Sequence, residues 1–203
     1  MKHSDAFKVV RADRAGVEAR NQMAEIFADG FSQWLTFFSK DRDVTAKAFA
    51  HMFVLDQYYV ALAGDRVAAF GACTDCRRFS VNLQSAPLRR HLGWFKGSMA
   101  ALILKREFQK PFVDPPAETG SIEFVGTALS FRGQGAASAV IRHMLDHLPY
   151  RTYLIEEVAE TNVPAIRLYE KLGFTEYKRK SLSPKQARRA GFHHMVSLRL
   201  EKT

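Results

Sequence analysis

The sequence predicts an α/β fold in which a mixed central sheet carries helices on its faces. From residue 121 onward, the apolar patterns follow the order strand, glycine-containing turn, helix, strand, helix and two closing strands. Hydrophobic residues make up 47% of the 203 residues, which is enough for a sizeable core. The chain contains no internal repeat, long linker or low-complexity tract, so residues 1–203 are expected to form a single domain.

The first part of the chain has the periodicities of a strand, two helices and a hairpin. Strand spacing is found at residues 7–10, helical spacing at 23–38 and 46–53, and two further strands at 58–63 and 67–74. Gly30 is expected to break or bend the first helix. Gly64 and Asp65 lie between the last two strands and predict a tight turn.

Residues 77–116 are predicted to form a basic insertion of helix and loop before the strand at 121–127. Glu107 is the only acidic residue between Arg77 and Lys110. Glycines at 93 and 97 weaken the helix, and prolines at 111, 115 and 116 close the segment as a loop. The apolar residues expected on one helical face are Leu88, Leu92, Phe95, Met99, Leu102 and Ile103.

The charge of this insertion leaves three interpretations open. It forms a solvated face, it binds nucleic acid or anionic lipid, or it lines an acceptor site with apolar contacts from Trp94, Phe95 and Met99. Its apolar face is also a candidate interface for a homodimer.

The whole chain is basic, with a formal net charge of +9, which favours an anionic partner. A phosphorylated ligand, nucleic acid and a membrane surface all belong to this class. The sequence has no recognisable nucleic-acid motif, no apolar run of membrane-spanning length and no apolar signal core at its polar start. The charge alone does not choose among the three classes. The lack of such a motif and of such an apolar run leads us to expect no nucleic-acid or membrane partner, and a cytoplasmic location.

No metal site is predicted. Cys73 and Cys76 supply only half of the ligands of a structural zinc site, and we expect two ordinary reduced cysteines. His193 and His194 have no cysteine nearby in the sequence.

A glycine-containing turn between the strand at 121–127 and the next helix is the most informative feature. Such a turn directs several backbone N–H groups into one concavity, and the helix dipole adds partial positive charge there. Glycines allow the backbone to approach a bulky anion closely. The segment is therefore predicted to bind a pyrophosphate.

Two segments in this part of the chain carry distinctive motifs. The first is Arg132-Gly133-Gln134-Gly135-Ala136-Ala137, and the second is Asn162-Val163-Pro164-Ala165-Ile166-Arg167-Leu168-Tyr169-Glu170-Lys171-Leu172-Gly173-Phe174. Both resemble motifs of the GNAT superfamily of acyl-CoA N-acyltransferases, whose phosphate turn reads Arg/Gln-x-x-Gly-x-Gly/Ala. The resemblance is specific over residues 121–174. It departs from the family at Leu129, where a loop-shaping proline is common.

The resemblance implies a GNAT-like, mostly antiparallel sheet and acetyl-CoA as co-substrate. Val125 and Thr127 would pair through their backbones with the pantetheine arm. Asn162 would contact the coenzyme, in addition to capping a helix with Pro164 in its first turn. The residues implied around the pyrophosphate are Arg132, Gly133, Gln134, Gly135, Ala136, Ala137 and Ser138.

Acetyl transfer to an amine requires a proton acceptor and a proton donor. The resemblance places Tyr169 near the coenzyme sulfur, where it would act as general acid. Glu123, on the strand before the turn, is the first candidate for the base. Glu156 and Glu157 are alternatives, of which strict strand alternation would allow only one to face the cleft.

These observations predict an N-acetyltransferase that transfers an acetyl group to a primary amine of a small molecule or peptide within a ternary complex, without a metal. A non-catalytic module that binds acyl-CoA is the alternative. The sequence does not select the acceptor.

Overall fold

The protein is described by a computed structural model over residues 7–16, 18–31, 35–109 and 117–202. Its centre is a seven-stranded sheet in the order β1-β2-β3-β4-β5-β7-β6. The strands are β1 (Lys8–Arg11), β2 (Tyr58–Ala63), β3 (Arg66–Thr74), β4 (Thr119–Thr127), β5 (Thr152–Ala159), β6 (Thr175–Ser181) and β7 (His194–Glu201). Only β4 and β5 run parallel, and all other neighbouring pairs are antiparallel. The mixed, mostly antiparallel sheet predicted from the sequence is therefore confirmed.

Helices cover both faces of this sheet. They are α1 (Ala19–Gly30), α2 (Arg42–Phe49), α3 (Ser85–Leu92), α4 (Trp94–Phe108), α5 (Ala136–His147), α6 (Val163–Lys171) and α7 (Pro184–Ala190). The first four share one apolar core with β2 and β3, which includes Phe27, Phe49 and Phe70. A second core joins α5 and α6 to the opposite face, around Ile122 and Val140.

Local signals explain where several helices begin and end. The Asp41 carboxylate caps α2 by accepting hydrogen bonds from the N–H groups of Asp43 and Val44. The first helix ends at Gly30, as its sequence indicated, and residues 32–34 of that predicted segment lie outside the described residues. The short helix α7 was not expected, although Ser183 and Gln186 form a capping box at its start.

The insertion differs from the sequence-based prediction of one apolar helical face. Gly93 has a φ of 81° and separates α3 from α4, so the face is not continuous. Leu88 is buried, but Phe95 and Leu102 remain 70% and 77% exposed. Helix α4 instead turns Gly97, Ala100 and Leu104 toward the core, and the first two are small enough for the helix to pack closely. The predicted closing loop at 110–116 lies outside the described residues.

Cys73 lies in β3, whereas Cys76 follows its end, and both thiols are buried and free. None of the helices within the described ranges is long and apolar enough to cross a membrane.

The close approach of α3 and α4 generates the first prediction. A Cβ added at Gly97 would lie 2.5 Å from the Cα and N atoms of Arg89, and backbone atoms cannot move aside cheaply. We expect Gly97→Ala to lower the free energy of unfolding by about 1–3 kcal/mol, although alanine favours a helix interior by about 1 kcal/mol. Urea unfolding measures the change.

Gly30→Ala is the matched control. This glycine also lies in a helix, but a Cβ there meets no atom within 4 Å. Its stability should be unchanged or slightly raised. Equal stability of Gly97→Ala and the wild-type protein would contradict the packing of α3 against α4.

Candidate active site

The strands β4 and β5 separate along their length. They pair in parallel only where Thr119–Ser121 meet Thr152–Leu154. Beyond these pairs β4 continues beside β3 as far as Thr127, and β5 continues beside β7 as far as Ala159. Within the described residues, the edge of β4 that faces β5 therefore has no strand partner after Ser121. Its backbone groups can accept an extended ligand as an added strand.

Bulges on both strands accompany this separation. Phe124 in β4 has a φ of 50° and Glu157 in β5 has a φ of 56°, both rare for residues other than glycine. The β3–β4 register shifts between Phe70 and Ala72, which breaks the alternation of side chains. As a result, the consecutive residues Glu123 and Phe124 point to the same face of the sheet, where Phe124 packs against Phe27 and Glu123 contacts Ser80.

The turn after β4 presents unpaired backbone donors. Gly133 and Gly135 have φ values of 74° and 87°, a conformation that glycine adopts without strain. Gly135 is the N-cap of α5. Among the described residues, no acceptor is recorded for the N–H groups of Gly133, Gly135, Ala136, Ala137 and Ser138. Unpaired donors at a helix N-terminus form a binding site for an anion such as a pyrophosphate.

Side chains around the turn hold it in place. The Gln134 amide donates to the Ser130 carbonyl oxygen at 2.7 Å. The Arg66 guanidinium, from the hairpin of β2 and β3, lies 5.2 Å from the Phe131 ring centroid. Arg132 itself is exposed, so its charge is available to a ligand at this turn.

Asn162 caps α6 as expected, because its side chain accepts a hydrogen bond from the Ala165 N–H at 3.4 Å. Tyr169, on the same helix, is only 6% exposed, and its ring centroid lies 6.2 Å from that of Phe174. Burial raises the pKa of Tyr169 above its ordinary value, so the phenol stays protonated at neutral pH. It can therefore donate a proton or a hydrogen bond.

Glu123 is partly buried, and its carboxylate contacts hydroxyl groups that are fully buried. Its carboxylate accepts hydrogen bonds from Thr74 Oγ1 at 3.0 Å and from Ser80 Oγ at 2.5 Å. Burial raises the pKa of Glu123 above its ordinary value, and these hydroxyl donors oppose that shift. A carboxylate with a raised pKa is better matched to proton transfer near neutral pH.

Glu156 and Glu157 are engaged by neighbouring strands. Glu156 accepts hydrogen bonds from the Tyr177 hydroxyl and from Ser197 Oγ. Glu157 forms an ion pair with Lys180 at 2.9 Å. The bulge at Glu157 also breaks the alternation that had separated the two candidates. Of the three carboxylates, Glu157 is paired with a cation, whereas Glu123 and Glu156 accept hydrogen bonds from hydroxyl groups.

Sequence reasoning did not identify Ser80 and Thr74 as functional candidates. Ser80 belongs to the basic insertion, and Thr74 is the last residue of β3. Thr74 approaches β4 only through the antiparallel register, in which it pairs with Ser121. That register depends on the bulge, which the sequence does not display.

Comparison with known proteins agrees with this architecture. A model of the acetyltransferase (GNAT) family matches residues 21–174. The comparison with curated proteins yields no significant match.

Solved N-acetyltransferase structures share the fold. An N-acetyltransferase from Staphylococcus aureus Mu50 is 17% identical, with 95% of this chain and 100% of that chain covered and a TM-score of 0.62. The ribosomal-protein-S18-alanine N-acetyltransferase from Escherichia coli is 13% identical, with 96% and 93% covered and a TM-score of 0.51. An agmatine N-acetyltransferase mutant is 13% identical, with 98% and 100% covered and a TM-score of 0.53.

The burial of Glu123 predicts a pH dependence of stability. Because the pKa of Glu123 is raised in the folded state, its carboxyl group becomes protonated at a higher pH in the folded chain than in the unfolded chain. The pKa of a glutamate in an unfolded chain is about 4.3. The burial penalty is therefore complete above the folded-state pKa and disappears as the pH falls toward about 4.3. Wild-type protein should gain stability relative to Glu123→Gln as the pH is lowered through this window.

Thermal unfolding of both proteins at several pH values measures the difference. Glu170→Gln, on the exposed side of α6, controls for the loss of one negative charge. If the stability of wild-type protein relative to Glu123→Gln falls as the pH is lowered, the raised pKa of Glu123 is contradicted.

Proposed function

The chain belongs to the acetyltransferase (GNAT) family, and we propose that it transfers an acetyl group from acetyl-CoA to a primary amine. One observation carries the proposal. The free edge of β4 leads directly into a turn in which the N–H groups of Gly133, Gly135 and residues 136–138 have no acceptor among the described residues. An extended thiol arm and a pyrophosphate, which are joined in coenzyme A, fit these two features in that order.

In this proposal Val125 and Thr127 bind the pantetheine arm through their backbone groups, in the manner of a strand addition. The turn and the first residues of α5 bind the pyrophosphate, with Asn162 contacting the coenzyme from the start of α6. The residues at the pyrophosphate are Arg132, Gly133, Gln134, Gly135, Ala136, Ala137 and Ser138. Residues 77–116 belong to the same domain.

Glu123 and Tyr169 supply the proton transfers. Glu123 accepts a proton from the acceptor ammonium, directly or through water, and the neutral amine attacks the acetyl carbon. The C–N bond forms and the C–S bond breaks, while the Tyr169 hydroxyl protonates the leaving sulfur. The nitrogen releases a second proton as the amide forms, and that proton restores Tyr169 through solvent. No covalent enzyme intermediate is formed.

Positioning supplies much of the rate in such a direct transfer. Holding two substrates in one cleft lowers the barrier by up to about 7–11 kcal/mol in favourable cases. A backbone N–H on the free edge of β4 polarises the acetyl carbonyl as charge develops on its oxygen.

The acceptor is a primary amine of a small molecule or peptide. One of the structures that share this fold is a ribosomal-protein-S18-alanine N-acetyltransferase, and another is an agmatine N-acetyltransferase mutant. The fold is thus compatible with both kinds of amine, and we propose to screen both by release of the coenzyme thiol.

Coenzyme binding is tested by Gly135→Glu. The new side chain strains a backbone at φ 87° and places a negative charge at the pyrophosphate site. Calorimetry should show micromolar binding of acetyl-CoA to wild-type protein and a loss of at least about tenfold in the variant, because one unfavourable charge contact is worth about 1.4 kcal/mol or more.

Gly64→Glu is the control for strain and charge. Gly64 also has a positive φ, of 60°, and open space around it, but it lies in the β2–β3 turn. Its affinity for acetyl-CoA should equal that of wild type. Absence of binding by folded wild-type protein would refute the proposed function, and binding without turnover of any amine would indicate a binding module instead.

The acid role is tested by Tyr169→Phe, which keeps the buried ring and removes the hydroxyl. We expect kcat to fall by about 10²–10⁴-fold with little change in Tm. Tyr153→Phe is the control, because the Tyr153 hydroxyl donates to the Met144 and Leu148 carbonyl oxygens. This variant should lower Tm and leave kcat nearly unchanged. Unchanged kcat in Tyr169→Phe would exclude the phenol as proton donor.

A further inference from the structure

Both carboxylate oxygens of Glu123 are held by hydroxyl groups from outside its own strand. Thr74 Oγ1 donates to Oε1 from the end of β3, and Ser80 Oγ donates to Oε2 from the segment that follows. Thr74 and Ser80 are 0% and 1% exposed, so neither hydroxyl exchanges its partner for bulk water. Each oxygen keeps a further lone pair for another donor.

The backbone around Ser80 is fixed on both sides. The Val54 N–H donates to the Ser80 carbonyl oxygen at 3.0 Å, and the Asn82 N–H donates to the Met52 carbonyl oxygen at 2.7 Å. Phe53 and Val81 form an antiparallel bridge between these two bonds. The Ser80 hydroxyl is therefore held at a defined position against β4.

The stretch beside Ser80 is in turn tied to α1. The Arg20 guanidinium donates to the carbonyl oxygens of Ala50 and Phe53, both at 2.9 Å. This contact stabilises the short connection between α2 and β2, on which the bridge to Val81 depends.

Other titratable groups near Glu123 stay neutral in the physiological range. Tyr58 on β2, Cys73 on β3 and Cys76 after it interact with the Glu123 charge, and burial raises the pKa of all three. The helices on this face, α1 and α4, present the aromatic rings of Phe27 and Phe108 to the adjacent Phe124. Among the described residues, Glu123 forms no ion pair, so the hydroxyl donors stabilise its charge.

We propose that Ser80 and Thr74 are positioning residues for acetyl transfer, which orient the Glu123 carboxylate so that its remaining lone pairs accept the proton of the acceptor amine. The proposal rests on the role of Glu123 in the proposed function. It also gives the insertion a part in the chemistry, because Ser80 lies within residues 77–116.

The expected effect has a definite sign. Hydroxyl donors favour the charged form of the carboxylate, so their removal raises the pKa of Glu123 further. The acidic limb of the kcat/KM profile should therefore move to higher pH in Ser80→Ala and Thr74→Val. The plateau should fall by about tenfold or more, since a misoriented base transfers protons less efficiently.

The experiment combines NMR and kinetics on the full chain. The carboxyl carbon of Glu123 is titrated by ¹³C NMR, without any substrate. The pH profile is recorded with acetyl-CoA and two amines, agmatine and a peptide that begins with alanine. Thr74→Ser keeps a hydroxyl at the same position and should restore the wild-type midpoint and profile. Circular dichroism verifies that each variant is folded.

The outcomes separate the two proposals. A raised NMR midpoint with a matching shift of the acidic limb in both variants, reversed in Thr74→Ser, supports the positioning role. An unmoved NMR midpoint in the variants overturns the positioning role. So does an unmoved acidic limb, provided that Glu123→Gln abolishes that limb, and in this case Glu123 remains the base. A limb that persists in Glu123→Gln removes Glu123 as the base, and the positioning role with it. If neither amine is acetylated, an unmoved NMR midpoint still overturns the proposal, and a raised midpoint in both variants supports the hold of the two hydroxyl groups on this carboxylate.

Discussion

The short parallel ladder between β4 and β5 is the constraint on which the candidate site depends. Three residue pairs, from Thr119 to Ser121 on β4, hold the two strands together, and then each strand follows its other neighbour. The bulges at Phe124 and Glu157 allow the strands to bend apart without losing their outer pairing. The separation frees one edge of β4, and the donor-rich turn over residues 128–135 joins the end of that strand to α5.

The bulge in β4 also determines which chemistry is available. It brings Glu123 and Phe124 to the same face of the sheet, where the carboxylate meets hydroxyl groups and the ring meets other aromatic rings. Burial alone would make the ionised carboxylate unfavourable, and two hydrogen bonds from hydroxyl groups offset part of that effect. The result is a carboxylate whose pKa is raised by burial and held back by its hydroxyl partners.

Local features were predictable from the sequence, whereas features set by distant contacts were not. The turn at Gly133 and Gly135 and the cap at Asn162 depend on residues within a few positions of each other, so the sequence displayed them. Helix α7 had equally local signals in Ser183 and Gln186 and could have been predicted. The predicted buried face of α4 was wrong because Gly97 packs against α3, and helical spacing does not encode this contact. Ser80 and Thr74 reach Glu123 through strand register, which is likewise invisible in the sequence.

The same short ladder has a consequence for folding. Strands β1–β4 form one antiparallel group and β5–β7 form another, and between the strands of the two groups the described ladder pairs number only those three. The antiparallel ladders beside this seam, between β3 and β4 and between β5 and β7, contain more residue pairs. We therefore expect the sheet to open first along this seam. A ligand that contacts both groups would bind only the docked state, and it would then protect the whole chain from subglobal opening as well as occupy its cleft.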